Sequence, residues 1–138
     1  MRKTSILIAV CMIAAMALTL YAQRDIMPVM KELGPTNASM GKNVTAADWA
    51  AVAADATKLQ GLFKETGDFM KAQKQATAAT WANDAATTAG DIAAKAKAGN
   101  AADATAAAGK LKASCKACHD VHREGTPGNF KFKAAPIN

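Results

Sequence analysis

From residue 25 onward, apolar side chains recur at steps of three and four, the spacing that lines one face of an α-helix. Glycine, proline and polar punctuation divides this pattern into four segments. In residues 25–42, Ile26, Met30, Leu33, Asn37 and Met40 share a stripe. Gly34-Pro35 interrupts it, because a residue before proline is pushed out of the helical region, so a kink or two short helices is expected there. Pro28 falls in the first turn, where its missing N–H is tolerated. A second segment, capped by Thr45 or Asp48, carries Trp49, Val52, Ala56, Leu59 and Phe63 in strict alternation of three and four, a bundle seam. Gly67 is expected to end or bend it, with Phe69 and Met70 packing beyond. The third segment, residues 77–98, places Trp81, Ala85, Thr88, Ile92 and Ala96 on one stripe before Gly99-Asn100 stops it. The fourth, residues 101–124, turns Ala104, Ala107 or Ala108, Leu111, Cys115 and Cys118 inward and ends before Gly125. Short connections make sequence neighbours antiparallel. The fold class this predicts is all-α, an antiparallel four-helix bundle.

The two ends of the chain read differently. Arg2 and Lys3 precede an uncharged apolar run, Ile6 to Leu20, and a small residue at Ala22. That is the pattern of a secretory signal peptide over residues 1–22, cut so that the mature chain begins at Gln23. The run is shorter than the roughly 20 residues of a membrane span. An uncleaved N-terminal anchor is the competing reading; a lipoprotein site at Cys11 is weaker, since bulky Val10 precedes it. Residues 23–124 then form the bundle, and 125–138 a C-terminal tail. In that tail Phe130 and Phe132 alternate with Lys131 and Lys133, which suggests an extended segment laying one apolar edge on the bundle; a frayed terminus is the alternative.

Export changes the charge balance. The full chain has 17 Lys plus Arg against 11 Asp plus Glu. Loss of Arg2 and Lys3 leaves 15 − 11 = +4. The remaining lysines are scattered along the chain, and nothing in their pattern supports nucleic-acid binding. Mild steering toward an acidic partner is one use of this charge and a solvated mixed-charge surface the plainer one. Cys11 leaves with the signal too, so the mature chain keeps only Cys115 and Cys118.

Those two thiols head the one stretch that carries specific chemistry, Cys115-Lys116-Ala117-Cys118-His119. Two cysteines three residues apart, followed at once by histidine, is the attachment site of haem c. On a helical turn the sulfurs lie close enough to form thioethers with the two vinyl groups, and His119 comes under the iron as proximal ligand. A CxxC redox pair belongs beside a βαβ pattern, which is missing here. A structural zinc site wants four ligands, and beyond these the exported chain offers only His122. His122 lies three residues after His119, emerges on the same side, and is expected at the solvent or at a haem edge. Trp49 and Trp81 are most simply core residues. Alanine at so many inward positions gives thin packing, and a haem would supply the missing apolar bulk.

Signal peptide, four helices and the late Cys115-Lys-Ala-Cys118-His119-Asp120-Val121-His122-Arg123 together resemble the class II c-type cytochromes, the family of cytochrome c-prime and its methionine-ligated low-spin relatives. The resemblance covers the mature chain up to about Glu124. It implies that Cys115 and Cys118 hold the porphyrin, that His119 binds iron, and that Arg123 and Arg24 lie near the haem propionates. A solvated surface charge is the competing reading for both arginines. In this family the opposite face of the iron is met by the first helix, with a Met in electron carriers and a non-ligating residue in cytochrome c-prime. Met30, which shares a face with Ile26, Leu33 and Met40, matches the methionine-ligated branch. Met27, one turn earlier, is a second candidate, and an open site a third. Pro28 and Gly34-Pro35 depart from the pattern and bear on which Met faces inward.

The expected function is therefore single-electron transfer in the periplasm of a Gram-negative-type cell, with redox proteins as partners and no stable membrane insertion after signal cleavage. The alternative is binding of nitric oxide or carbon monoxide at an open distal site. No acid–base pair, nucleophile constellation or second metal site accompanies the motif, so an enzyme is not expected. Asp120 and Glu124 read as surface carboxylates. Family bundles often pair through their helices, which makes a homodimer an expectation, although no patch singles out a face.

Overall fold

In a computed structural model of the protein, residues 25–134 are described. The expected signal peptide, Arg24 and the last four residues lie outside them. Four helices follow one another: α1 (Met27–Thr45), α2 (Trp49–Ala72), α3 (Ala76–Lys97) and α4 (Ala101–His122). A two-stranded antiparallel ladder closes the described chain, β1 (Arg123–Glu124) against β2 (Lys131–Phe132), with Arg123 opposite Phe132 and Glu124 opposite Lys131. The described residues are all-α apart from this short ladder, and their four helices are consistent with a helical bundle.

One turn design is used three times. The connections at 46–48, 73–75 and 98–100 each close with a 6→1 hydrogen bond: Asp48 N–H to Asn43 O at 3.0 Å, Gln75 to Met70 at 2.9 Å and Asn100 to Lys95 at 2.9 Å. Inside each lies a 5→2 bond, from Ala47 to Val44, Lys74 to Lys71 and Gly99 to Ala96. This is the Schellman arrangement, and it needs a left-handed residue in the middle. Ala47 (φ 56), Lys74 (φ 57) and Gly99 (φ 74) supply it. The residue after each also starts the next helix. Asp48, one of the two expected caps, accepts from Ala51 N–H at 3.0 Å; Asn100 accepts from Asp103 N–H at 3.4 Å. Such short αα-hairpins fold each helix back along its predecessor.

Three local expectations are corrected. The first is the division at Gly34-Pro35 into two short helices: α1 runs as one helix through both residues. The clash that bars a helical residue before proline involves the preceding Cβ, and Gly34 has none. Gly67 likewise does not end α2, which continues to Ala72. It is buried against α3, where a Cβ would stand 2.7 Å from Asn83 Oδ1, the far end of an exposed side chain. Finally, α4 stops at His122, because Arg123 turns to an extended conformation (φ −118, ψ 133) and enters the ladder.

The seams read from sequence form the centre. Met40, Val52, Leu59, Ile92 and Leu111 are the most deeply buried large side chains. On α3 every buried position except Ile92 is alanine, which lets α2 and α4 lie close on either side of it. α1 packs on α2, α4 packs on α3, and α1 and α4 meet only sparsely. A gap between the first and last helices is the result.

Candidate haem site

That gap holds a cavity of about 430 Å³, within the roughly 300–1,000 Å³ typical of small-molecule sites. α4 contributes one continuous stripe to it. Cys115, Cys118, His119 and His122 stand at i, i+3, i+4 and i+7, a single helical face, and all four line the cavity. One turn earlier the same stripe carries Leu111, fully buried in the core, which fixes the rotation of α4. The opposite wall comes from α1 through Met27, Met30 and Leu33. Phe63 and Met70 of α2 and Trp81 of α3 enclose the space between.

Burial sets the protonation of the three motif side chains. It pushes the Cys115 thiol up from its ordinary value, against a smaller lowering by a backbone hydrogen bond. Burial also raises Cys118, and the neighbouring Cys115 adds to the rise. His119 is held below the usual histidine range, first by burial, then by the Arg123 guanidinium, with Asp120 opposing. Both cysteines are free thiols. At neutral pH the site thus presents two protonated thiols and an imidazole inclined to be neutral, the form that has a lone pair to give a metal.

The remaining expected residues fall as follows. Arg123 is exposed in β1, lines the cavity, and stacks its guanidinium 4.3 Å above the Phe130 ring. Lys31 and Lys131 line it as well, so three cations from distant parts of the sequence line one cavity whose lining contains no carboxylate. Asp120 pairs with Lys116 at 2.7 Å on the exposed surface, a contact of small energetic value. Trp49 packs half-buried against the core, whereas Trp81 is a wall of the cavity.

Of the two places expected for His122, the solvent is not met: its side chain lines the cavity. It is only 6% exposed and lies in the cavity wall, covered by the chain that follows it. Its i+3 relation to His119 pointed to the cavity face, but the cover comes from residues eleven positions later. Phe130 and Phe132, half-buried in the same wall, were visible in the sequence only as an alternating pattern.

The donor set suits a c-type haem. Two unbridged thiols and an imidazole share one stripe, the wall facing them is apolar and contains methionine sulfur, and Gly34 leaves open space where a side chain would intrude. Among the described residues no group of three or more His, Cys, Asp or Glu is placed to hold a metal ion. Among them, too, no helix is long and apolar enough to cross a membrane. Compared with protein-family models, curated proteins and solved structures, the chain gives no match.

Proposed function

We propose that this protein is an exported c-type cytochrome that carries single electrons through one covalently held haem. The observation carrying this reading is the convergence of Cys115, Cys118 and His119 on one apolar cavity whose far wall bears Met30. When bound, haem supplies an iron centre that alternates between Fe(III) and Fe(II). Cys115 and Cys118 would hold it through thioethers, and His119 would be the proximal ligand. Phe63, Met70 and Trp81 exclude water from the space between the helices. Arg123, with Lys31 and Lys131, places positive charge in the cavity lining, suited to the propionates.

Met30 is the better of the two distal candidates. At about 100° per residue, the cavity-lining positions of α1 spread from Leu33 and Ile26 on one side to Met27 and Lys31 on the other. Met30 falls near the middle of that spread and Met27 toward its flank. Both are half-buried, as a thioether facing a cavity would be. The cavity lining contains no acid–base pair, so the protein is read as a carrier rather than a catalyst.

Absorption and electron-spin-resonance spectra of the purified oxidised protein, repeated with carbon monoxide after reduction, test this directly. A low-spin spectrum with a sulfur-to-iron band and no response to carbon monoxide is expected. In Met30→Ala it should become high-spin. An unchanged spectrum in that variant would move the ligand to Met27. A high-spin native protein that responds to carbon monoxide would make it a gas-binding module instead. Purified exported protein without haem would sink both readings.

A further inference from the structure

The end of α4 and the segment after it hold an arrangement that haem attachment does not require. His122 engages Lys133 twice. The Lys133 N–H donates to the His122 carbonyl at 2.9 Å, and His122 Nδ1 lies 3.2 Å from the Lys133 carbonyl oxygen. A carbonyl oxygen only accepts, so Nδ1 carries the proton in this contact. The imidazole stacks on Phe132, with centroids 6.0 Å apart and planes 6° from parallel. Its other neighbour is Trp81 of α3, met edge-on at 6.1 Å. Phe132 in turn meets Phe69 of α2 edge-to-face at 5.4 Å.

These contacts matter because the ladder alone is weak. Two residue pairs form it, and even a full isolated hairpin is marginal in water. The return loop is specialised for the path back: Gly125 (φ 97) and Gly128 (φ 87) are both left-handed, and a Cβ at Gly125 would collide with the Asn129 carbonyl oxygen. The segment 130–133 is thus brought back to α4 and also reaches α2. Phe130, Lys131 and Phe132 become cavity wall in doing so.

We infer that His122 is a latch that fastens this C-terminal strap across the cavity, so that the strap, rather than solvent, covers the haem beside α4. The inference rests on the haem reading above and gives His122 a positioning role toward the same site. Water stabilises the more highly charged oxidised iron, and solvent exposure is one of the protein's levers on potential. A fastened strap therefore raises the reduction potential, and an open one lowers it.

Lys133 allows one of the two His122–Lys133 bonds, the main-chain one, to be cut without touching any side chain in the wall. Lys133→Pro removes the N–H that donates to His122, whereas Lys133→Ala keeps both backbone groups. Phe132→Ala removes the stacked ring and serves as the second opening variant. On the purified holoprotein, amide hydrogen exchange over residues 123–133 and the optical midpoint potential are measured together. Lys133→Pro and Phe132→Ala are expected to speed exchange by about tenfold, the scale of one lost hydrogen bond, and to shift the midpoint negative. Lys133→Ala should do neither. Unchanged exchange in Phe132→Ala, the variant that removes a contact of the imidazole itself, would overturn the latch. Faster exchange with an unchanged midpoint would overturn the covering role. Protein purified without haem would overturn the function proposed above and the covering role with it, while exchange would still decide the latch.

Discussion

Gly67 shows how one residue can carry a signal that points the wrong way until its neighbour is known. Glycine inside a helical pattern costs up to about 1 kcal/mol relative to alanine, which is why it reads as a stop. Here it sits inside α2 facing Asn83, whose side chain is exposed and free to swing aside. Gly67→Ala should therefore stabilise the protein by about 0.5–1 kcal/mol in thermal unfolding; a loss would mean that Asn83 cannot yield. The core is less forgiving. Leu59, fully buried in the seam read from sequence, should cost about 2–5 kcal/mol when cut to alanine. That Cys115, Cys118 and His119 share one helical face was legible because it follows from their spacing along one chain segment. The burial of His122 was not, since Phe132 and Lys133 cover it by folding back.

At the scale of elements, the recurring turn is the informative unit. Its middle residue must be left-handed, at a cost of roughly 1–2 kcal/mol for a side chain other than glycine's. Gly99 meets that demand freely, while Ala47 and Lys74 do not. Gly99→Ala should lower stability by about 1 kcal/mol, and Lys74→Gly should raise it, by less than that cost because glycine also loosens the unfolded chain. Urea unfolding of the two variants checks both signs, and equal effects would show that the turn is not under strain. Only the turn with glycine announced itself in the sequence. Helix existence was legible from the three-four period, and so was the Asp48 cap. The continuity of α1 through Pro35 was not, because it depends on the missing Cβ next to the proline rather than on the proline itself.

For the whole molecule, the question is what keeps α1 and α4 apart. The buried positions of α3 are almost all alanine, so the centre closes tightly, and the apolar volume that would join the outer helices is left as cavity. If haem occupies it, the chain without haem exposes that wall to water and loses the stabilisation of a ligand bound only by the folded state. A Cys115→Ala, Cys118→Ala double variant should accordingly melt at lower temperature than the holoprotein, followed by far-ultraviolet circular dichroism. Equal melting temperatures would show that the cavity contributes nothing to the fold. The cationic lining is a product of the same scale: Lys31, Arg123 and Lys131 come from distant segments, and their sharing of one cavity cannot be read from their spacing.

The sequence by itself determined the four helices, the faces they bury and the thiol–imidazole motif, because each depends on periodicity or chemistry within a few residues. Tertiary structure decided the rest. It set α1 and α4 apart around a cavity, brought Met30 opposite the motif helix, put three cations in the lining of one cavity and folded the tail over His122. Each of these is a meeting of residues far apart in the chain, and a meeting is settled by which faces leave room for one another.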